Sequence, residues 1–206
     1  MKKRKRNFSS FNVAEACKEL GITQLSKWPL AVTPVASSKF YHERMRRLRQ
    51  VFGMAMSQRA KALLIDAVVE EAMLKHPRLR VWKAAAIQSD ELTGTVDYVV
   101  APNRGYLEGP LLCVVEAKKD DFEQGLAQCL VEMKACQWNN AQIGPKADAY
   151  GVVTNGEGWK FYKLALSGKV FESSVFSLGA IAQLLGCLHF VFAECEKNLS
   201  RFAKAA

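Results

Sequence analysis

Two apolar segments near the middle of the chain are each interrupted by a single carboxylate. Residues 111–117 (LLCVVEA) form a near-continuous apolar run with Glu116 near its end, and residues 94–101 (GTVDYVVA) are β-branched and apolar apart from Asp97. Runs of this kind are typical of strands that are buried on both faces of a sheet. A carboxylate inside such a strand costs free energy unless it is paired or binds a cation. The pattern therefore predicts a sheet with a polar site on two neighbouring strands.

Around these strands, the spacing of apolar residues predicts further helices and strands. Residues 57–75 lack Gly and Pro and carry apolar residues at helical spacing. Asn155-Gly156 is a strong hairpin signal between two short apolar segments. The predicted elements in chain order are helix 57–75, strands 80–88, 94–101 and 111–117, helix 120–139, strands 149–154 and 158–164, and helix 178–202. This order favours an α/β or α+β class with a central mixed sheet flanked by helices.

The net charge of +9 is concentrated at the N-terminal end of the chain. Residues 1–6 carry five positive charges and no negative one, and residues 39–50 carry five positive residues against Glu43 alone. In the rest of the chain the two signs balance. A length of 206 residues suits one full domain with an appendage. We therefore predict a basic, partly helical extension over residues 1–50 and one domain over residues 51–206.

This extension carries signals for two helices and for a polyanionic partner. Asn12 and Glu15 form a capping-box pattern at the start of a short helix that Gly21 would end, and a second helix is predicted over residues 39–52. The excess charge is an electrostatic footprint for nucleic acid. A solvated tail with an ordinary basic helix face is the alternative, and an anionic membrane is disfavoured because no strong apolar face accompanies the charges. The candidate nucleic-acid-binding residues are Lys2, Lys3, Arg4, Lys5, Arg6, Arg44, Arg46, Arg47 and Arg49.

The six cysteines indicate a reducing compartment. They show no CxxC pair, and most lie inside apolar runs, where a free thiol behaves as a small hydrophobe. No apolar stretch of about 18 residues occurs, and no apolar segment follows the basic N-terminus, so neither a membrane span nor a secretory signal is predicted. We expect a cytoplasmic, intracellular protein without a membrane partner, although residues 2–6 also match a nuclear-import run.

Asp97, Glu116 and Lys118 together suggest hydrolysis of phosphodiester bonds. Carboxylates on neighbouring strands, with a strand carbonyl between them, offer the hard oxygen ligands that Mg²⁺ prefers. Lys118 lies two residues after Glu116, so both side chains point to the same face of an extended strand. An ammonium there can orient the attacking water and stabilise developing negative charge. Proton abstraction from carbon would favour a histidine, and the three histidines lie outside these strands.

The segments around these three residues resemble the PD-(D/E)xK phosphodiesterase superfamily, also called restriction endonuclease-like. GTVDYVV and VVEAKK match its D…ExK pattern, and EQGLAQ is similar to the glutamine-bearing helix of its RecB-like and Holliday-resolvase-like branches. GVVTNGEGWKFYKL is similar to the strand pair that closes the core in many restriction-type members. The resemblance covers residues 57–165, and Val96 stands where the name of the motif has proline. It implies a restriction endonuclease-like core and a metal-dependent nuclease that acts on DNA.

The same resemblance implies a role for each residue of the motif. Asp97, Glu116 and the carbonyl of Ala117 would bind Mg²⁺, for which Mn²⁺ can substitute, and Lys118 would activate the attacking water. Duplex cleavage by this family commonly needs two active sites, which implies a homodimer.

A glutamate and a glutamine are expected to support this site. The family tends to carry a Glu on the helix before the first strand, and Glu71 falls near the middle of the apolar stripe of that helix while Glu70 falls at its flank. Glu71 is therefore predicted, with a solvated position at the edge of the stripe as the alternative. Gln128 is predicted ahead of Gln124 from the family pattern alone, because both lie off the apolar face of their helix and a solvated surface explains both.

Two other classes of function stay open. A chain of this fold can serve as a catalytically silent nucleic-acid-binding or assembly module, although an intact D…ExK speaks against that interpretation. The chain can also be a basic adaptor that binds another protein. Asp97 would then cap a turn or pair with an arginine such as Arg80, and Glu116 and Lys118 would form an ion pair at a sheet edge.

Overall fold

One mixed sheet runs through the part of the chain that a computed structural model describes, residues 4–53, 58–118 and 122–205. Its eight strands within those ranges are β1 (Arg6–Asn7), β2 (Ser26–Lys27), β3 (Leu79–Gln88), β4 (Leu92–Pro102), β5 (Cys113–Ala117), β6 (Ala149–Thr154), β7 (Gly158–Leu164) and β8 (Val170–Ser177). The helices are α1 (Val13–Leu20), α2 (Lys39–Val51), α3 (Gln58–Met73), α4 (Phe122–Ile143) and α5 (Ile181–Ala205). The chain is therefore of mixed α/β class, as predicted.

Strand β5 is an inner strand of the sheet, paired with β4 on one side and with β6 on the other. The strand order is β1-β4-β5-β6-β7-β8-β2, and β3 pairs with β4. Strands β3, β4 and β5 are antiparallel neighbours, whereas β5 and β6 are parallel and are joined through α4. All five residues of β5 are buried. The apolar run at residues 111–117 is therefore a doubly buried inner strand.

Two hydrophobic clusters cover the two faces of this sheet. On one face, which we call the α3–α5 face, α3 and α5 supply residues such as Leu64 and Leu188. On the other, the α4 face, Leu130 of α4 packs with Val114 of β5. Alternation along β5 divides the strand between the clusters, because Val114 belongs to the α4 face and Val115 to the α3–α5 face. Side chains at even-numbered positions of β5 therefore point towards α4.

Most predicted elements occur with nearly the predicted bounds, and the exceptions are strands that depend on distant partners. Strands β6 and β7 have the bounds that were predicted, joined at Asn155-Gly156. Strand β8 was not predicted, because Glu172, Ser173 and Ser174 give its sequence the composition of a loop. Its backbone pairs with β7 on one side and β2 on the other, so pairing rather than apolar content holds it in the sheet.

The N-terminal region is folded onto both faces of the sheet. The capping box is confirmed: Asn12 accepts from the amide of Glu15, the Glu15 carboxylate accepts from the amide of Asn12, and Gly21 ends α1 with φ 68°. Phe8 lies in the cluster of the α4 face, whereas Tyr41 of α2 lies in the cluster of the α3–α5 face. The boundary near residue 50 stays a prediction, although residues on its N-terminal side contribute to the core.

Helix α5 is long and apolar enough to cross a membrane by length and composition. The stretch concerned is Leu178–Lys204, the one such helix among the described residues, and half of its most apolar part is buried. Leu184, Leu188 and Val191 of this helix belong to the cluster of the α3–α5 face. Because a buried core helix has the same composition, the expected absence of a membrane partner stays a prediction.

Gly94→Ala is expected to lower the free energy of unfolding by about 1–3 kcal/mol, the usual cost of overpacking. A Cβ atom at Gly94 would lie 2.5 Å from Cδ2 of Phe8, which is fully buried and has little room to move. Gly105→Ala is the matched control, because no atom lies within 4 Å of an added Cβ there. Urea unfolding measures both variants, and equal effects at the two positions would contradict the close packing of Phe8.

Candidate functional site

Strands β4 and β5 separate at Asp97, and the Asp97 side chain bridges the opening. Their pairing runs from Val100–Cys113 to Tyr98–Val115 and stops there, although the next position would place Asp97 opposite Glu116. Instead, Oδ2 of Asp97 accepts a hydrogen bond of 2.8 Å from the amide of Ala117. A buried amide without a partner is costly, so this carboxylate replaces the missing strand contact.

Asp97 also lies at an irregularity in the pairing of β3 with β4, where the alternation of side chains between the two faces of the sheet changes. The pairing of β3 with β4 passes from Lys83–Tyr98 to Ala85–Val96 and omits the position between them, where Ala84 has φ 50°, in the left-handed region. Along β4, Tyr98 belongs to the α3–α5 face, while both Val96 and Val99 belong to the α4 face. Strict alternation would put Val96 with Tyr98, so the alternation is shifted by one residue at Asp97. The carboxylate is thus held at an irregularity in the sheet rather than within a regular ladder.

Glu116 lies in the interior beside this opening. Its side chain is 1% exposed, and its Oε1 lies 2.7 Å from Nζ of Lys118. No described group donates a hydrogen bond to its Oε2, and the carboxyl group of Glu132 on α4 lies within hydrogen-bonding reach of Glu116. Burial, and then the charge of Asp97, raise the pKa of Glu116 from 4.5 to about 7, while Lys118 acts in the opposite direction. Three charged groups are therefore gathered in a part of the core that is otherwise apolar.

Gln128 of α4 joins this group. Its side-chain oxygen accepts a hydrogen bond of 3.0 Å from Nζ of Lys118, and the residue is buried. Gln124, the alternative candidate, donates instead to the carbonyl groups of Ser9 and Phe11. The structure thus brings Gln128, and not Gln124, together with Lys118.

Glu132 is a fifth polar residue of the site, and sequence patterns did not indicate it. It lies one turn beyond Gln128, whose amide nitrogen donates to Oε1 of Glu132 at 3.0 Å. The residue is fully buried, and its Oε2 has no hydrogen-bond partner in the described part of the chain. Burial, and then the charge of Glu116, raise the pKa of Glu132 well above 4.5. The available signal was one acidic residue within an apolar stretch of the predicted helix, between Val131 and Met133.

Helix α4 is buried around most of its circumference, and Gln128 and Glu132 lie on the part of it that meets the end of β5. The helix packs on β5 and β6 on one side and on α1 on another. Lys134 of α4 binds Glu19 of α1 through a contact of 2.6 Å. A projection of the helix alone assumes one solvated face, and the N-terminal region removes most of that face.

The structure does not bring Glu71 to the site. Its carboxylate accepts hydrogen bonds from the amide and the hydroxyl of Ser38, at 2.5 and 2.9 Å, and so fixes the residue that caps α2. Glu70 forms an ion pair with Arg44 of α2. Both glutamates therefore link α3 to α2. Of the two residues expected to support the site, Gln128 contacts Lys118 and Glu71 does not. Glu71 is half-buried, and the amphipathic spacing of α3 could not identify Ser38 as its partner.

A purely structural triad would pair Asp97 with an arginine such as Arg80 and would place the Glu116–Lys118 ion pair at a sheet edge. Neither arrangement occurs among the described residues. Arg80 donates to the carbonyl of Arg104 and lies over the ring of Trp82, so no described contact pairs it with Asp97. Glu116 and Lys118 do form an ion pair, but β5 is an inner strand and not a sheet edge.

The first basic segment lies near the α4 face. Lys2 and Lys3 fall outside the described residues, and Arg4 is exposed. Lys5 donates to the side chain of the last residue of β3 at 3.0 Å. Arg6 forms an ion pair of 2.6 Å with a glutamate of α1 and lies 3.7 Å above the ring of Phe11. Arg6 thus has a structural role, while Arg4 keeps its charge at the surface.

The second basic segment lies on α2, across the sheet from α4. Arg46 and Arg47 both bind Glu43 on the same helix, and Arg44 pairs with a glutamate of α3. Arg49 is exposed. Three of these four arginines therefore have acidic partners, which reduces the field that α2 presents to a polyanion.

The oxygen atoms of the site suit a hard divalent cation. Glu116 and Glu132 each have one buried oxygen without a hydrogen-bond partner among the described residues, and Asp97 is close enough to affect the pKa of both. No group of three or more His, Cys, Asp or Glu residues in the described ranges is arranged to hold a metal ion. A cation bound by two carboxylates would keep water or substrate oxygens in its shell, as Mg²⁺ commonly does.

A scan against models of known protein families gives no match for this chain, and neither does a comparison with curated protein sequences. The resemblance of residues 57–165 to the PD-(D/E)xK superfamily therefore stays an expectation.

Glu116→Gln is expected to reduce the pH dependence of stability. Glu116 has a pKa of about 7 when folded and an ordinary value of 4.5, so folding favours its protonated form. The stability that this proton contributes is complete below pH 4.5 and is lost as the pH rises through 7. Because one pKa unit corresponds to about 1.4 kcal/mol, the loss is a few kcal/mol at most.

Urea unfolding of the metal-free protein at a series of pH values tests this expectation. Stability should fall more steeply with rising pH in the wild type than in Glu116→Gln. Thr154→Val, an uncharged change in the neighbouring strand, should lower stability by the same amount at every pH. Parallel pH profiles for the wild type and Glu116→Gln would contradict the raised pKa.

Proposed function

We propose that this chain is a metal-dependent nuclease with a restriction endonuclease-like core, and that it hydrolyses phosphodiester bonds in DNA. The observation that carries the proposal is the convergence of Asp97, Glu116 and Lys118 at the point where two inner strands separate. The order of helix α3, strands β3–β5, helix α4 and strands β6–β7 supports the proposed core. Carboxylates and an ammonium in such a position suit hydrolysis of a phosphate ester better than a structural role.

Asp97 and Glu116, with the carbonyl of Ala117, are the proposed ligands of Mg²⁺, for which Mn²⁺ can substitute. A bound divalent cation polarises a phosphoryl oxygen and lowers the pKa of a coordinated water. The hydrogen bond from the Ala117 amide orients Asp97 across the gap between the strands. Burial of Glu116 keeps bulk water from competing for its oxygens.

Lys118 is proposed to hold the attacking water and to stabilise the charge that develops on the phosphate. Its ammonium has three N–H groups, of which Glu116 and Gln128 occupy two. The third can bind a water or a phosphate oxygen. Gln128 would support this position of Lys118, while Glu71 is assigned to the packing of α2 on α3.

The proposed substrate contact runs along the α4 face from Arg4 and Lys5 towards the site. These residues precede Phe8, which packs against Gly94 three residues before Asp97. Nucleic acid that reached Asp97 would therefore pass close to the basic run. The arginines of α2 lie on the opposite layer and would contact a longer duplex or a second copy of the chain.

Lys118→Ala is expected to lower cleavage of DNA by about 100-fold or more, in line with the loss of one group that stabilises the transition state. The assay uses supercoiled, linear, branched and single-stranded DNA with Mg²⁺ or Mn²⁺, and RNA substrates in parallel. Lys83→Ala is the matched control, because Lys83 is an exposed lysine of β3 that binds Asp66. Cleavage by Lys118→Ala at the wild-type rate would contradict the proposal and would indicate a contaminating nuclease.

Asp97→Asn is expected to weaken the binding of Mn²⁺ and Mg²⁺ by about tenfold or more, because a neutral amide is a poorer ligand for a hard cation than a carboxylate. Isothermal titration calorimetry measures this binding in the absence of nucleic acid, with Asp66→Asn as the control carboxylate. Metal binding without cleavage would favour a catalytically silent module of the same fold. Absence of both metal binding and cleavage would favour a protein-binding adaptor.

A further inference from the structure

The polar groups behind Lys118 form a chain with a defined direction. Nζ of Lys118 donates to Oε1 of Gln128, and Nε2 of Gln128 donates to Oε1 of Glu132. An ammonium can only donate hydrogen bonds, so Gln128 must turn its oxygen towards it. The amide nitrogen then points the opposite way and needs an acceptor, which Glu132 provides. The orientation of the Gln128 amide is therefore set from both ends.

Glu132 has no evident role in stability that an apolar residue could not fill. The side chain is fully buried on α4 between apolar neighbours, and no ion pair among the described residues includes it. One of its oxygens lacks a hydrogen-bond partner within the described ranges. Replacing a buried charged group by a well-packed apolar residue is often neutral or stabilising. Besides Gln128, Glu132 lies within hydrogen-bonding reach of Glu116. A costly buried group whose contacts are the two residues that bind the Lys118 ammonium points to a role in placing that ammonium.

We propose that Glu132 is a positioning residue for Lys118, acting through Gln128. The inference rests on the proposed function of the site, because the ammonium that it positions is the one assigned to the attacking water. Glu132 keeps the oxygen of Gln128 facing Lys118, and Gln128 together with Glu116 then holds the ammonium in one place. Without an acceptor at position 132, the amide of Gln128 gains freedom to turn its nitrogen towards the ammonium, where two donors would face each other.

The first test follows the Lys118 ammonium directly by NMR of protein that carries ¹⁵N-labelled lysine. In the wild type, the Lys118 ammonium should exchange its protons slowly, because Glu116 and Gln128 both bind it. Glu132→Leu should increase the exchange rate by about tenfold, since a hydrogen bond from a charged donor is among the stronger ones. Lys134 is the internal control, because it lies on α4 and binds Glu19. The protons of its ammonium should exchange at the same rate in the wild type and in Glu132→Leu.

The variant Glu132→Gln should restore the wild-type behaviour. A glutamine at position 132 can accept from Gln128 with its oxygen and donate to the free oxygen of Glu116 with its nitrogen. Gln128→Met is a second variant that cuts the same chain of hydrogen bonds without changing Glu132. It should accelerate exchange at Lys118 as Glu132→Leu does, and it replaces that variant if Glu132→Leu does not fold.

Kinetics provide the second test. Glu132→Leu should lower kcat by about tenfold with little change in KM, because it displaces a group that acts in the chemical step and not in binding. Thermal unfolding should show an unchanged or higher midpoint, which a merely structural residue would not show. Restoration of kcat by Glu132→Gln completes the expected pattern.

Two results would overturn the inference. Slow exchange at Lys118 in both Glu132→Leu and Gln128→Met would show that Glu132 does not position the ammonium, whatever the activity. Loss of kcat in Glu132→Gln equal to that in Glu132→Leu would show that the carboxylate acts in some other way. If exchange at Lys118 responds as expected but the wild type cleaves no nucleic acid, the positioning role stands and the proposed nuclease function fails.

Discussion

The hydrogen bond from the Ala117 amide to Asp97 is the contact on which the rest of the site depends. It joins β4 and β5 at the position where their regular pairing ends, so the two strands can separate without leaving a buried amide unpaired. Glu116 and Lys118, which follow Val114 on the side of β5 that faces α4, lie beside this opening. The site therefore lies at the irregularity in the sheet.

Ionisable side chains that are rare in an apolar core lie together at this opening. Glu116 and Glu132 are buried, and burial raises the pKa of both. Lys118 offsets part of this cost through its contacts with Glu116 and Gln128. A divalent cation would lower the free-energy cost of the buried carboxylates, because it brings opposite charge to them. A substrate phosphate would offer oxygen acceptors to the Lys118 ammonium. The folded chain thus maintains a site whose free energy depends on what binds to it.

The sequence predicted those features of the fold and the site that depend on neighbouring residues in the chain, and missed those that depend on distant ones. The period of two along a strand was enough to place Glu116 and Lys118 on one face, and the apolar runs around Asp97 and Glu116 were enough to predict buried strands. Glu132 was missed because its neighbours Glu116 and Lys118 lie at the end of β5, and only the packing of α4 on the sheet brings them to it. Glu71 is half-buried against Ser38, the residue that caps α2, and no local pattern identifies that partner. Strand β8 was missed for the same reason.

The position of the N-terminal region changes what its charge can do. The charge excess predicted a separate extension, yet Phe8 is buried against Gly94 and Arg6 is held by contacts within the protein. A freely moving basic tail would add affinity for nucleic acid without direction. A basic run fixed beside β4, with Arg6 opposite Leu92 and so five residues before Asp97 along the strand, would instead add affinity at one side of the site. Anchoring of the N-terminal segment by Phe8 would therefore convert a general attraction for polyanions into a defined path towards Asp97.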